Sequence, residues 1–185
     1  MKHLNIRSFD YYVLLFFCIS FAGWLWEVVL YLLGSGVFVN RGVYYGPYLP
    51  IYGIGGLFLM LLLHAKRKQP LLVFAVSAAI CTAIEYAAAA WLEYKWNVRW
   101  WDYSSLFMNL DGKICLLCSI GFGAGGVLLI CIFQPFFNRL YHKTPRRVCI
   151  LICIILIVLF TADAAYSSIN PNTGRNITCF FAAIQ

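Results

Sequence analysis

Five apolar stretches, at about Tyr12 to Leu33, Pro47 to His64, Pro70 to Tyr94, Lys113 to Phe137 and Val148 to Ser167, take up most of a chain of 185 residues. A helix needs roughly 20 mostly apolar residues to cross the hydrocarbon core of a bilayer. The sequence therefore predicts an all-α, polytopic integral membrane bundle of five transmembrane helices over residues 1–167, with a short tail at 168–185. Charged residues make up 11% of the chain, against about 25% in soluble domains. Almost nothing is left over for a soluble domain, which excludes a nucleotide-binding domain on this chain. The first stretch is long and carries Glu27 and two tryptophans. It lacks the short apolar core and small-residue cleavage site of a signal peptide, so it is expected to stay in the mature protein.

The basic residues orient the bundle. With the N-terminus inside, Lys2, Arg7, Lys66, Arg67, Lys68, Arg139, Lys143, Arg146 and Arg147 are cytoplasmic, nine of the 14 Lys and Arg, and Arg41, Lys95, Arg99, Lys113 and Arg175 lie outside. Every short inner loop is then basic, as the positive-inside rule requires. The expectation is N-terminus in and C-terminus out. The net charge of +7 follows from that bias and calls for no nucleic-acid partner. Only Asp10 among the acids is cytoplasmic, whereas Glu27, Glu85, Glu93, Asp102, Asp111 and Asp163 fall in outer halves of helices or outside. Trp24, Trp26, Trp91, Trp96, Trp100 and Trp101 also map outward, although a plain aromatic belt would mark both interfaces. The polar chemistry is thus concentrated at one end of the bundle.

Glu27 and Glu85 should both lie at membrane depth. An ionised carboxylate there costs at least ~2.5 kcal/mol, so it faces the interior and finds a partner or takes up a proton. Two outer connections supply partners: Asn40-Arg41-Gly42 leading into Gly46-Pro47-Tyr48-Leu49-Pro50-Ile51-Tyr52-Gly53, and Trp100-Trp101-Asp102-Tyr103 leading into Asn109-Leu110-Asp111-Gly112-Lys113. Each precedes a helix whose free amides and positive end attract anions, next to Arg41 or Lys113. Pro47 suits a first helical turn. The candidate substrate-binding or gating residues are Trp24, Glu27, Asn40, Arg41, Tyr45, Tyr52, Glu85, Glu93, Asp102 and Lys113. Together they describe a zwitterionic site or a charge-paired gate. The Tyr and Trp rings serve either as a cage for a cation or as interfacial anchors. The same charges could also do no more than fix helix packing.

Small residues mark close helix contacts: Gly53, Gly55 and Gly56, Ala87 to Ala90, and Gly121, Gly123, Gly125 and Gly126, with Gly121 and Gly125 forming a small-xxx-small face. Five of the cysteines, Cys18, Cys81, Cys131, Cys149 and Cys153, are scattered through apolar helices and read as small hydrophobes. Cys115-Leu116-Leu117-Cys118 has redox spacing, but Cys179 is the one outer thiol left to partner it. His3, His64 and His142 are isolated, and neither metal nor cofactor is expected. In the tail, Asn176-Ile177-Thr178 matches a glycosylation acceptor by pattern, and Phe180 and Phe181 could return the chain to the membrane surface. There is no internal repeat, and five helices cannot divide into two equal inverted halves. A transporter of this form is expected to form a homo-oligomer or recruit partners.

The segments Trp24-Leu25-Trp26-Glu27, Asn40-Arg41-Gly42 with Tyr45 to Gly53, Trp101-Asp102-Tyr103-Ser104 and Asp111-Gly112-Lys113-Ile114-Cys115-Leu116 resemble the ABC-transporter type IV, or CmpB-like, permease family. The resemblance runs from about residue 10 to 135. It implies a small multi-pass protein of the bacterial plasma membrane, in a transport system whose ATPase would be a separate subunit. The family usually has Asn-Gly-Arg where this chain has Asp111-Gly112-Lys113. The charge is kept, but bidentate binding of phosphate or carboxylate is not. An ATPase would dock on a cytoplasmic loop, and only Asn138 to Arg147 offers room for one.

Three functions compete on these residues: a small-molecule permease or membrane component of a transporter, an intramembrane enzyme acting on a lipid- or polyprenyl-phosphate at the outer leaflet, and a structural or regulatory subunit without turnover. In the enzyme, Arg41 and Lys113 would hold the phosphate and Glu27 or Glu85 would act as base.

Overall fold

The computed structural model describes residues 8–97, 99 and 101–172, and only the backbone of Lys95 and Trp96. Lys2, His3, Arg7, Trp100, Arg175, the Asn176-Ile177-Thr178 pattern, Cys179, Phe180, Phe181 and the side chain of Trp96 lie outside the described residues. The elements are α1 (Phe9–Ser35), α2 (Pro50–Lys66, of which His64–Lys66 is a 3-10 turn), α3 (Pro70–Trp96), α4 (Leu116–Lys143) and α5 (Arg146–Ile169). Among the described residues there is no strand, only an isolated bridge between Leu110 and Ile114. The five-helix membrane bundle is therefore present. α1, α3, α4 and α5 are each long and apolar enough to cross a membrane. Their outer faces carry Leu33, Leu71, Ile132 and Leu159 exposed, as lipid contact requires.

Local chemistry sets the helix ends. Pro50 and Pro70 open α2 and α3, where a missing amide costs no helical bond. Gly36, at φ 71°, closes α1 by donating its N–H to Leu32 O at 2.8 Å, the left-handed cap that glycine adopts without a Cβ penalty. Asn97 closes α3 in the same way through Glu93 O at 3.0 Å.

α2 departs from the expected span. It starts at Pro50, so Pro47 belongs to the irregular segment 36–49. Its 14 α-helical residues and the three of its 3-10 turn rise about 27 Å, a little short of the ~30 Å hydrocarbon core. The segment 36–49 returns toward α1 before α2 begins. The Leu49 N–H donates to Ser20 O at 3.0 Å, and Ser20 is fully buried near the middle of α1. Non-helical backbone at such depth is tolerated where protein satisfies its polar groups, as Ser20 O does for the Leu49 N–H. A Cβ on Gly23 would overlap the Tyr52 ring, and one on Gly53 would overlap Ser20 Oγ. These glycines let α2 lie hard against α1.

α4 starts three residues later than expected and runs on to Lys143. Leu128–Phe133 is a π-helical turn, just ahead of Pro135, which has no amide to give to Cys131; a widened turn absorbs that loss. The room expected for an ATPase-docking loop at Asn138 to Arg147 is therefore occupied by the last turns of α4 and the first of α5, leaving Thr144 and Pro145 between them. The glycine stripe is also corrected. Gly121 and Gly125 face open space, while Gly123 seats Phe74 and Gly126 seats Ser77. Likewise Gly55 touches nothing, unlike Gly53 and Gly56.

α1 packs most closely along α2, and α3 along α4. The apolar core gathers Tyr11, Leu15 and Ile19 of α1, Leu59, Met60 and Leu63 of α2, Val73 of α3, and Ile130 and Phe137 of α4. It sits toward the end marked by Asp10. The other end is left to polar groups.

Candidate functional site

At that end Glu27 lies two turns before the close of α1 and faces the re-entrant segment. Arg41 places Nη2 and Nε at 3.2 and 3.3 Å from Glu27 Oε2, and Tyr52, in the first turn of α2, donates its hydroxyl to Oε1 at 2.7 Å. Arg41 is 4% exposed, with its guanidinium 5.5 Å from the centre of the Tyr31 ring. Both carboxylate oxygens and the buried cation are thereby satisfied, as the low dielectric demands. Asn40 fixes the approach: it accepts from Trp24 Nε1 at 2.7 Å and donates to Tyr45 O at 2.9 Å. Trp24 thus acts as a hydrogen-bond donor to the segment. Tyr45 acts through its backbone, and its ring packs edge-on to Tyr166.

Asp163 on α5 completes this half. It accepts the N–H groups of Tyr45 and Gly46 at 3.1 and 2.8 Å, the Tyr48 hydroxyl, and Ser167 Oγ at 3.0 Å. In sequence Asp163 is one of the outer acids and not a candidate site residue. A lone carboxylate in a strongly apolar helix was the available signal.

Glu85 of α3 forms the second half. Tyr103, from the connection 97–115, donates to Glu85 Oε1 at 2.9 Å. Glu85 Oε2 is buried with no hydrogen-bond partner among the described residues. Burial first, and then Glu85 and Cys118, push the Tyr103 phenol far above its ordinary range, so it remains a donor. Glu85 is close enough to Tyr52 and to Cys118 to act on both electrostatically. In sequence Tyr103 is only one member of the Trp101-Asp102-Tyr103-Ser104 motif; its hydroxyl reaches Glu85 because the connection folds back along α3.

Glu93, Lys113 and Asp102 belong to the fastening of that connection. Glu93 takes Lys113 Nζ at 2.8 Å and Arg99 Nη2 at 2.7 Å. Hydrogen bonding to Glu93 raises both the Lys113 ammonium and the Arg99 guanidinium above their usual values. Lys113 also lies 5.9 Å from the Tyr86 ring centre, and Tyr86 donates to Asp111 at 2.9 Å. Asp102 makes none of the three ion pairs found among the described residues. It accepts from Ser104 N at 2.9 Å and Ser104 Oγ at 2.5 Å, and those bonds hold its carboxyl below the usual range. Gly112, at φ 68°, comes so close to Asp102 and Ser104 that a Cβ would meet both at 2.5 Å.

No group of three or more His, Cys, Asp or Glu among the described residues could hold a metal ion. No curated protein and no solved structure matches the chain. A family model does, over residues 14–168, under the description "Putative ABC-transporter type IV". That span takes in both halves of the site and all or most of each of the five helices, and the chain belongs to this family.

Proposed function

We propose that the chain is the membrane component of an ABC-type transporter and that its polar end binds a cationic group, with Glu85 as the contact and the Glu27–Arg41–Tyr52 cluster as a gate beside it. The observation that carries this is the second oxygen of Glu85, buried and unpartnered while the first is held by Tyr103. A carboxylate so placed accepts a cation or a proton at little reorganisation cost. α2 adds to the case. Its N-terminus lies inside the bundle at the end of a re-entrant segment, as in transporters built from discontinuous helices. The basic connections at the opposite end, Lys66 to Lys68 and Arg139 to Arg147, favour placing the Glu85 end outside.

The phosphate-lipid enzyme is disfavoured by the same geometry. It requires Arg41 and Lys113 to meet an anion, and each already meets a carboxylate, Glu27 and Glu93 respectively. The available binding capacity is negative.

The test is thermal unfolding of the purified protein in detergent against alkali cations, polyamines, quaternary ammonium compounds, amino acids and phospholipid head groups, on wild type and Glu85→Gln. At 100 times its Kd a ligand stabilises by about 2.7 kcal/mol. A cationic compound that raises Tm in wild type but not in Glu85→Gln is the expected result. Stabilisation by phosphate head groups that survives Glu85→Gln overturns the reading.

A further inference from the structure

Cys115 and Cys118 stand where α4 begins. Their sulfurs are 3.1 Å apart, and Cys115 is the N-cap, accepting the Cys118 N–H on its Sγ at 3.3 Å. A two-residue spacing across a helix start puts both side chains on one side of the first turn, the arrangement of exchangeable dithiols. Cys115 is 2% exposed, whereas Cys118 is only partly covered. Cys118 also reaches the Tyr103 hydroxyl, and Tyr103 donates to Glu85. One sulfur of the pair thus touches the residue that orients the unpartnered carboxylate.

We propose that Cys115 and Cys118 are a reversible dithiol–disulfide pair, oxidised by exchange with a small external disulfide, and that closing the bond loosens Tyr103 from Glu85. Cys118, the accessible sulfur, loses its proton to solvent and attacks the external disulfide, forming a mixed disulfide and releasing one small thiolate. Cys115 then loses its proton and attacks the Cys118 sulfur, which expels the second thiolate. The two thiolates take up the two protons. Two protein thiols and one external disulfide give one protein disulfide and two small thiols. Closure draws the sulfurs from 3.1 Å to about 2.0 Å. Cys118 thereby withdraws from Tyr103, and the connection 97–115 loses a contact at the level of Glu85. The redox chemistry stands without the cation reading; only its consequence at Glu85 rests on it.

The full-length protein in detergent is incubated with oxidised glutathione, denatured, treated with maleimide and mapped by peptide mass spectrometry. The peptide holding both cysteines should lose the mass of two hydrogens and escape maleimide, and dithiothreitol should restore labelling. Cys115→Ser should leave Cys118 as a stable mixed disulfide with glutathione. Cys118→Ser should leave Cys115 reduced. Maleimide on both cysteines of the oxidised wild type, or glutathione on each, overturns the pair. The coupling is read separately by hydrogen exchange across 97–115, which should quicken on oxidation in wild type and stay unchanged in Cys118→Ser. A disulfide that forms with no change in exchange overturns the link to Tyr103 and leaves the cation site to its own test.

Discussion

Asp163 on α5 accepts the backbone N–H of Gly46 at 2.8 Å, across 117 residues of sequence. With the Tyr45 amide, the Tyr48 hydroxyl and Ser167 on the same carboxylate, the last helix clamps the segment that carries Arg41 to Glu27. Bonds to a charged acceptor contribute about 1.5–3 kcal/mol each and are not additive. Asp163→Ala should therefore lower the unfolding free energy by about 2–4 kcal/mol, read by denaturant titration in detergent. Ser167→Ala, which leaves the amides paired, should cost under about 1 kcal/mol. Equal effects from the two substitutions would rule out the clamp.

The Glu27–Arg41 pair separates a gate from a packing device. Removing one partner of a fully buried pair costs about 3–5 kcal/mol because the other charge is stranded. Glu27 keeps a quarter of its side chain exposed, so Arg41→Met should cost somewhat less, about 2–3 kcal/mol. The double variant Glu27→Leu with Arg41→Met removes the stranded charge and should recover most of that loss in a double-mutant cycle. Stability restored together with transport would mean that the pair only packs helices. Stability restored with transport lost is the outcome expected of a gate.

Two glycines of α4 five residues apart should behave in opposite ways. A Cβ at Gly126 would overlap Ser77, while one at Gly121 meets nothing within 4 Å. Gly126→Ala should destabilise by about 1–3 kcal/mol through overpacking. Gly121→Ala, which adds helix propensity without a clash, should be neutral or stabilising by up to about 1 kcal/mol. Thermal unfolding of the two variants side by side decides the register of α4 against α3.

Asp102 supplies the pH dependence of the connection 97–115. Its folded-state value lies below the ordinary aspartate value of 3.8 through hydrogen bonds from Ser104. Its stabilising effect is therefore complete above the ordinary aspartate range and is lost as pH falls through the lower, folded value. The connection should stay fastened at neutral pH and loosen only in strong acid. Ser104→Ala removes the side-chain bond but leaves the backbone one, so the midpoint should move up toward 3.8 without reaching it. Carboxylate titration followed by carbon NMR reads the midpoint directly; a downward shift would contradict the assignment.

The sequence by itself determined that the chain is a membrane bundle of five helices. Apolar runs of about 20 residues leave a chain no other way to satisfy its backbone than helices in lipid. It also determined that the polar groups cluster at one end, because charges in lipid are costly enough to be confined. Glu27, Arg41, Tyr52 and Glu85 stand out in the sequence for that reason; Glu93 and Lys113 stand out there only as binding or gating candidates, and their pairing with each other comes from the structure. What the tertiary structure decided is who partners whom. The start of α2 at Pro50, the return of Leu49 to Ser20, the meeting of Asp163 with Gly46 and the reach of Tyr103 to Glu85 all depend on two connections folding back along helices. No periodicity encodes that return. It follows from close approach at Gly23 and Gly53 and from buried backbone groups that had to find partners inside the bundle.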